Sequence, residues 1–330
     1  MSAPAAVQSE RLLAPFYEQM ALARALDARI WNLSRQGAVP FAVTGRGQEA
    51  AQVGLAAAVR VGLDYVFPYY RDVALVLALG MSATEILMAA FGRRADPASA
   101  GRQMPNHFSY RRLRIVSGSS PVGTQIPQAA GTALASRMRG EDSVSWVTFG
   151  EGASSQGDFH EGLNFAAIHR LPVVFACENN GWAISVPERL QVAGSGVAGR
   201  AAAYGIPGVV VDGGDPFAAY TAAVTAAERA RRGDGPTLLE LRVPRLDAHT
   251  SSDDDTTYRT PAERQAVHDS DPLPPFRERV RTALGDDAVD AIDARVAAMV
   301  DEATQAAEAS PAPDERDLLT HIIAEGPTAP

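Results

Sequence analysis

A chain of 330 residues, 46% apolar and carrying a net charge of −9, is long enough for one large or two ordinary domains with an ample core. Its acidity argues against a nucleic-acid surface or an anionic membrane as partner. There is no lysine: all 30 basic residues are arginine, which excludes lysine Schiff-base chemistry, a P-loop and a lysine-tethered carrier on this chain. The single cysteine, Cys177, permits no intramolecular disulfide and suits a reducing compartment such as the cytoplasm.

The opening MSAPAAVQSE lacks a basic start followed by an apolar run, so no secretory signal is expected. Ser9 to Arg35 has the spacing of an amphipathic helix, with Leu12, Leu13, Phe16, Tyr17 and Met20 on its apolar side and Gly37 to close it. Thr44-Gly45-Arg46-Gly47 is a glycine loop ahead of a helix from about Gln48 to Arg60, a weak signal alone. Tyr65 to Tyr70 reads as a buried strand delivering Arg71, and Ser82-x-x-Glu85 as a capping box opening a helix through Phe91. Glu85 interrupts the apolar stretch Val73 to Gly92, so no membrane span is expected. Asp96 to Ser120 has little periodicity and reads as a long loop; its Arg111, Arg112 and Arg114 read as a solvated face, and His107 either lines a site or packs the loop. The hydroxyls and carbonyls of Ser119 to Gln125 could ligate a monovalent cation or merely cap the helix that follows through Arg137; the residues alone favour the cap.

The most informative stretch runs from residue 144 to 181. An apolar run, Val144 to Phe149, enters the turn Gly150-Glu151-Gly152; a helical pattern from Asp158 to Arg170 follows, and a second apolar run, Val173 to Cys177, ends in Glu178-Asn179-Asn180-Gly181. One crossover helix separates Glu151 from Asn180 and can bring both to the same sheet edge, where open parallel sheets bind ligands. Hard oxygen donors suit magnesium, and the helix after Gly152 would aim free N–H groups at a phosphate. The plain alternative is a glycine turn before a helix with a capping amide at the next strand. A strand at Gly208 to Asp212, a helix from Pro216 to Arg232 and a strand at Thr237 to Val243 complete an alternation that indicates a doubly wound, mostly parallel α/β sheet. Residues 245–260 read on composition as a solvated loop, lacking the glycine and terminal glutamate of an EF-hand. From Thr260 the chain is helical, Asp286 to Ala309 being the longest stretch, with Val289, Ile292, Val296 and Met299 on one face.

The GEG of Gly150 to Gly152 followed by the ENN of Glu178 to Asn180 resembles the thiamine diphosphate motif, which usually begins G-D-G and ends N-N. From about residue 15 to about residue 320 the chain resembles the alpha subunits of branched-chain 2-oxo acid dehydrogenases, the decarboxylating first component, which are similar in carrying glutamate at the second position. The resemblance implies a thiamine diphosphate-binding domain over 1–260 and a C-terminal helical extension over 261–330. It implies magnesium held by Glu151, Asn180 and the carbonyl of Trp182, and cofactor contacts from Tyr69, Tyr70, Arg71, Gly150, Gly152 and Ala153. Ser120 and Val122 would lie against the aminopyrimidine side, and Ser119, Pro121, Thr124 and Gln125 would form a potassium-type site. Arg245, His249, Asp253, Tyr258 and Arg259 fall on the loop that orders around the cofactor in similar subunits, with His249 reaching it and assisting acyl transfer to lipoamide. Thr250 stands where some relatives carry a regulatory phosphoserine. GRQMPNHF, residues 101–108, resembles a run found in branched-chain members. Four positions depart from the pattern: Tyr69 where glutamine is common, Val122 where similar subunits carry leucine, Glu178 where some carry arginine, and Ala248 where a histidine is common.

The implied reaction is oxidative decarboxylation of a branched 2-oxo acid such as 3-methyl-2-oxobutanoate, with the acyl group passing to a lipoyl-bearing acyltransferase. In that family the carboxylate that promotes the cofactor's tautomer comes from a beta subunit, so the resemblance implies a heterotetramer of two alpha and two beta subunits. An alpha subunit acting on pyruvate or acetoin, and a non-catalytic subunit that kept the fold, are the alternatives.

Overall fold

The computed structural model describes residues 5–320, so part of the opening segment read for a secretory signal and the last ten residues of the tail lie outside the described residues. In chain order, α1 (Ala5–Arg35) and α2 (Glu49–Ala56) precede β1 (Tyr65–Phe67), followed by α3 (Val73–Ala78) and α4 (Ala83–Ala90). A long irregular stretch then leads to α5 (Gln125–Met138), β2 (Ser145–Gly150), α6 (Gly157–Ile168) and β3 (Val173–Asn179). A small hairpin, β4 (Trp182–Ala183) with β5 (Val186–Pro187), precedes β6 (Gly208–Asp212), α7 (Pro216–Arg231) and β7 (Thr237–Arg242). Helices α8 (Pro261–Asp269), α9 (Leu273–Leu284) and α10 (Asp286–Ala309) close the chain.

The main sheet has the order β1-β2-β3-β7-β6, and every pairing in it is parallel. Along β3, Val173, Phe175 and Cys177 face one core and Val174 and Ala176 the other, so a strand buried on both faces reads as an unbroken apolar run. The core holding Phe175 is covered by α5 and α6, the other by α1, α2 and α7. Helices thus lie on both faces, and the connection order turns back between β3 and β7, the doubly wound arrangement the alternation indicated. Pro68 has no N–H to continue the ladder, so β1 stops at Phe67 rather than Tyr70, and residues 68–71 turn out over the sheet edge.

The capping box forms as expected at α4: the Glu85 amide donates to Ser82 Oγ at 3.2 Å and the Ser82 amide to Glu85 Oε2 at 2.8 Å. Helix α10 buries Val289, Ile292, Val296, Val300, Ala303 and Ala307, a stripe at helical spacing that packs on α1 and α4; Met299 lies outside it, exposed. The extension therefore shares the core of the N-terminal helix. Arg24 of α1 ties it down further, donating to both oxygens of Asp271 at 2.8 Å while also bonding Glu49. Among the described residues no helix is long and apolar enough to cross a membrane.

Candidate active site

The carboxyl ends of β1, β2 and β3 and the segment leaving β7 converge on a cleft with about 1000 Å³ of empty volume. Tyr69, Tyr70, Arg71, Ser120, Val122, Gly150, Glu151, Gly152, Ala153, Asn180, Trp182 and His249, all read from the sequence, line it. Parallel pairing sets Gly150 beside Glu178, so Glu151 and Asn180 leave adjacent strands at the same level. The Asn180 amide donates to Glu151 Oε2 at 3.2 Å, while Oε1 is buried without a partner. Burial pushes the Glu151 carboxyl up, against the N–H bonds it accepts and the pull of Arg245 and Arg71. A buried carboxylate with one bare oxygen, bonded by the backbone N–H of a residue that itself carries an amide oxygen, offers hard oxygen donors of the kind magnesium takes. Asn180 Oδ1 also accepts the Trp182 amide at 3.1 Å, which fixes the direction of the hairpin that carries Trp182.

The helix read at Asp158 to Arg170 forms as α6, and a short turn separates it from Gly152. Residues Glu151–Ser155 form a tight 3-10 turn and α6 begins only at Gly157, so the backbone of the turn, not the end of α6, lines the cleft. Ser154 Oγ donates to the Glu151 carbonyl at 2.6 Å, a local bond that competes with continuing the helix.

Arg71 is 1% exposed and held at both Nη atoms: Nη1 donates to the Thr44 carbonyl at 2.7 Å and Nη2 to the His249 carbonyl at 3.0 Å. Nη2 also lies 2.9 Å from His249 Nδ1, and because a guanidinium only donates, Nδ1 must accept. Burial, then the charges of Arg71 and Arg245, hold the imidazole down at about 4, so at neutral pH it is uncharged with its proton on Nε2.

Residues 245–260 are far more ordered by contacts than their composition implies. Arg245 and Arg259 are each 2% exposed. Arg245 donates to the Ile184 carbonyl at 2.9 Å and to Tyr258 Oη at 3.0 Å; Arg259 donates to the Arg245 carbonyl and stacks over Trp182 at 5.2 Å. Asp253 accepts from the His249 amide at 2.8 Å and from the Tyr258 hydroxyl. The five loop residues named from the resemblance are thus one connected network. Burial, with Arg259 and Arg71 nearby, lowers Arg245 to about 10, and Arg245 Nε and Arg259 Nε and Nη2 are buried without partners. Such crowded cations suit an anionic ligand.

Of the four residues read as a cation site, three are joined by hydrogen bonds: Thr124 Oγ1 donates to the Pro121 carbonyl at 2.9 Å and contacts Ser119 Oγ. Gln125 lines the same cleft, its Nε2 donating to the Thr148 carbonyl at 3.1 Å. The simple helix cap is not formed, since Thr124 makes no side-chain capping bond. His107 does line the cleft. Its Nδ1 lies 3.0 Å from the Met104 carbonyl, which places the proton there and leaves Nε2 to accept from Ser120 Oγ at 2.8 Å. Arg111 and Arg112 are exposed as expected, while Arg114 lies over Tyr65 at 4.6 Å.

Two cleft residues had no readable signal. Asn106, buried at φ 64°, bridges the Val43 and Tyr70 carbonyls at 3.1 and 2.9 Å. Ile184 has φ 56°, a left-handed conformation that is costly for a β-branched residue, and its side chain is 55% exposed in the cleft.

The sequence matches the family model described as "Dehydrogenase E1 component" over residues 17–316. It is 50% identical over 311 residues to the 2-oxoisovalerate dehydrogenase subunit alpha of Bacillus subtilis, covering 94% of each chain. Identity to the 3-methyl-2-oxobutanoate dehydrogenase subunit alpha of Mycobacterium tuberculosis is 38% over 322 residues, 96% of this chain and 84% of that one. The mitochondrial 2-oxoisovalerate dehydrogenase subunit alpha of Mus musculus is 39% identical over 245 residues, 74% of this chain and 55% of the mouse protein. With the match spanning nearly its whole length, the chain belongs to the dehydrogenase E1 component family, whose members use thiamine diphosphate.

Proposed function

We propose that this chain is the alpha subunit of a branched-chain 2-oxo acid dehydrogenase, acting on substrates of the 3-methyl-2-oxobutanoate type. The observation that carries the reading is the meeting of Glu151 and Asn180 at the cleft with one buried carboxylate oxygen left over. The named relatives, at 50% and 38% identity over nearly the whole chain, support the substrate class.

Thiamine diphosphate, when bound, supplies the nucleophilic carbon and the electron sink for decarboxylation. The protein's part is to hold, bend and shield. Glu151, Asn180 and the Trp182 carbonyl hold magnesium, and Arg71 meets the diphosphate with Tyr70 beside it. Ser120, braced by His107, and Val122, 50% exposed in the cleft, support the aminopyrimidine side. Ser119, Pro121 and Thr124 bind the monovalent cation. His249, neutral and held by Arg71, presents Nε2–H for acyl transfer to the lipoyl group.

Glu151 is the only carboxylate lining the cleft among the described residues, and it is committed to the metal. The carboxylate that promotes the cofactor's tautomer therefore comes from the beta subunit, in an assembly of two alpha and two beta chains. The test is turnover of a panel of 2-oxo acids by the chain alone and by the co-expressed pair. Turnover by the pair with branched acids ahead of pyruvate is expected. Faster turnover of pyruvate would move the chain to the pyruvate class, and normal rates without a partner would refute the shared site. Absence of saturable thiamine diphosphate binding with magnesium would mark a non-catalytic subunit.

A further inference from the structure

The glycine loop Thr44-Gly45-Arg46-Gly47 belongs to none of the cofactor contacts, yet it is one of the most tightly fixed segments of the chain. The Gly45 amide donates to the buried Asp27 at 2.8 Å, and the Gly47 amide to Glu49 at 2.8 Å. A Cβ on Gly45 would lie 2.2 Å from the Arg71 carbonyl oxygen; one on Gly47, at φ +97°, would lie 2.6 Å from that of Pro244. Glycine here lets the loop press against both the residue behind the cleft and the segment leaving β7.

That segment is fastened to the loop at alternate residues. Asp247 Oδ2 accepts from Thr44 Oγ1 at 2.7 Å and Oδ1 from Arg46 Nη1 at 2.9 Å. Two residues on, the His249 carbonyl takes Arg71, whose other arm holds the Thr44 carbonyl. Two further, the Ser251 amide donates to the Ala42 carbonyl at 2.9 Å and Ser251 Oγ accepts from the Ala42 amide at 3.0 Å. His249 is thus bracketed, and on its N-terminal side Asp247 is the principal fastening to the glycine loop among the described residues, since the other bond to that loop, Leu246 amide to Arg46 carbonyl, is 3.4 Å long; Arg245, further back, is held instead by Ile184, Tyr258 and Arg259.

We propose that Asp247 is a positioning residue: clasped by Thr44 and Arg46, it holds the backbone on which His249 faces the cleft. The proposal rests on the functional reading above, in which His249 serves acyl transfer. The clasp joins two segments 200 residues apart in sequence and gives the glycine loop its purpose, as the fixed half of a fastening. Its effect falls on the His249 step rather than on binding, because Asp247 itself does not line the cleft.

The experiment uses the alpha chain co-expressed with its beta subunit and compares wild type with Asp247→Ala, Asp247→Asn and Arg46→Ala. Backbone amide exchange is followed by mass spectrometry, and turnover of 3-methyl-2-oxobutanoate is measured with an artificial electron acceptor and with free lipoamide. Asp247→Ala is expected to speed exchange across 246–252 about tenfold and to lower lipoamide turnover about tenfold more than acceptor-dye turnover, the scale of one lost charge-assisted hydrogen bond. Asp247→Asn, which keeps an oxygen for Thr44, recovers part of both. Unchanged exchange at 246–252, or equal loss of both turnovers with no recovery in Asp247→Asn, overturns the proposal. Should Asp247→Ala fail to fold, Arg46→Ala gives the same reading with Thr44 left in place. A wild-type pair inactive on every 2-oxo acid would sink the functional reading, while the exchange result still decides the clasp.

Discussion

Replacing Glu151 by Gln should make the cofactor-free chain more stable and leave it unable to respond to its cofactor. The carboxylate is 1% exposed, has one oxygen on the Asn180 amide at 3.2 Å and the other bare, and burial raises its pKa, so its charge is held at a cost. An unsatisfied buried polar atom costs roughly 1–3 kcal/mol, and more when charged. Glutamine keeps the acceptor for Asn180 and exchanges the bare charged oxygen for a bare amide, so the net gain is about 1 kcal/mol, or about 2 °C in a chain of this size. Wild type behaves oppositely once magnesium and thiamine diphosphate are present at about a hundredfold excess over Kd, gaining about 2.7 kcal/mol by linkage. The assay is a thermal-shift series on both proteins, with and without magnesium and thiamine diphosphate. A melting temperature that falls on substitution, or an upshift with cofactor that survives it, refutes the reasoning that this carboxylate is held strained for a metal.

Two further outcomes follow from the same geometry. The His249 imidazole should titrate at about 4 by NMR, and Arg71→Met, which removes the second-largest cause of its depression, should move it back toward 6.5; a pKa unchanged by that substitution would show that Arg71 does not face the ring. The sign for stability follows: a depressed histidine is protonated more readily when unfolded, so its contribution is present above about 6.5 and is lost as pH falls toward 4. Gly45→Ala should force the Arg71 backbone from the loop by about 1 Å, costing about 1–3 kcal/mol in overpacking and, through the displaced guanidinium, up to about a hundredfold in turnover. Calorimetry and cofactor titration check it, and wild-type affinity in Gly45→Ala would mean that the 2.2 Å approach is relieved elsewhere.

The parts of the fold that could be read in advance are those where one local pattern has one physical outcome. β3 is apolar without interruption because both its faces are buried, and α10 shows its stripe because one face meets α1 and α4. The Glu151–Asn180 meeting followed from a crossover length. What escaped depends on partners remote in sequence. Nothing in RLDAHTSSDDDTTYRT says that Arg245 and Arg259 are buried, because the groups that bury them are Trp182, the Ile184 carbonyl and Arg71's neighbours. The strained Ile184 has no sequence signature, since its conformation is imposed by Asn180 at one end of the hairpin and Arg245 at the other. The helix after Gly152 was legible as well, α6 running from Gly157 to Ile168; the 3-10 turn ahead of it was not, because it depends on Ser154 bonding back to Glu151.

Two departures from the family's pattern, Tyr69 for glutamine and Glu178 for arginine, prove to be one. Both side chains are buried at the base of the cleft, and Tyr69 Oη donates to Gln48 Oε1 at 2.6 Å with Glu178 Oε2 at 3.3 Å. Gln52 Nε2 reaches the same Glu178 oxygen at 2.9 Å, and burial pushes both Glu178 and neighbouring Asp72 up, Asp72 also through the charge of Glu178. The tyrosine hydroxyl and the glutamine amide both donate to the Glu178 carboxyl, partners that suit an acceptor at this position. Positive charge lies beside the cleft all the same, because Arg71, Arg245 and Arg259 are buried together, close enough for Arg71 to oppose the ionisation of both the others. Two of these three buried cations, Arg245 and Arg259, sit on the segment after β7, and so the fastening of that segment also fixes where the positive charge beside the cleft lies.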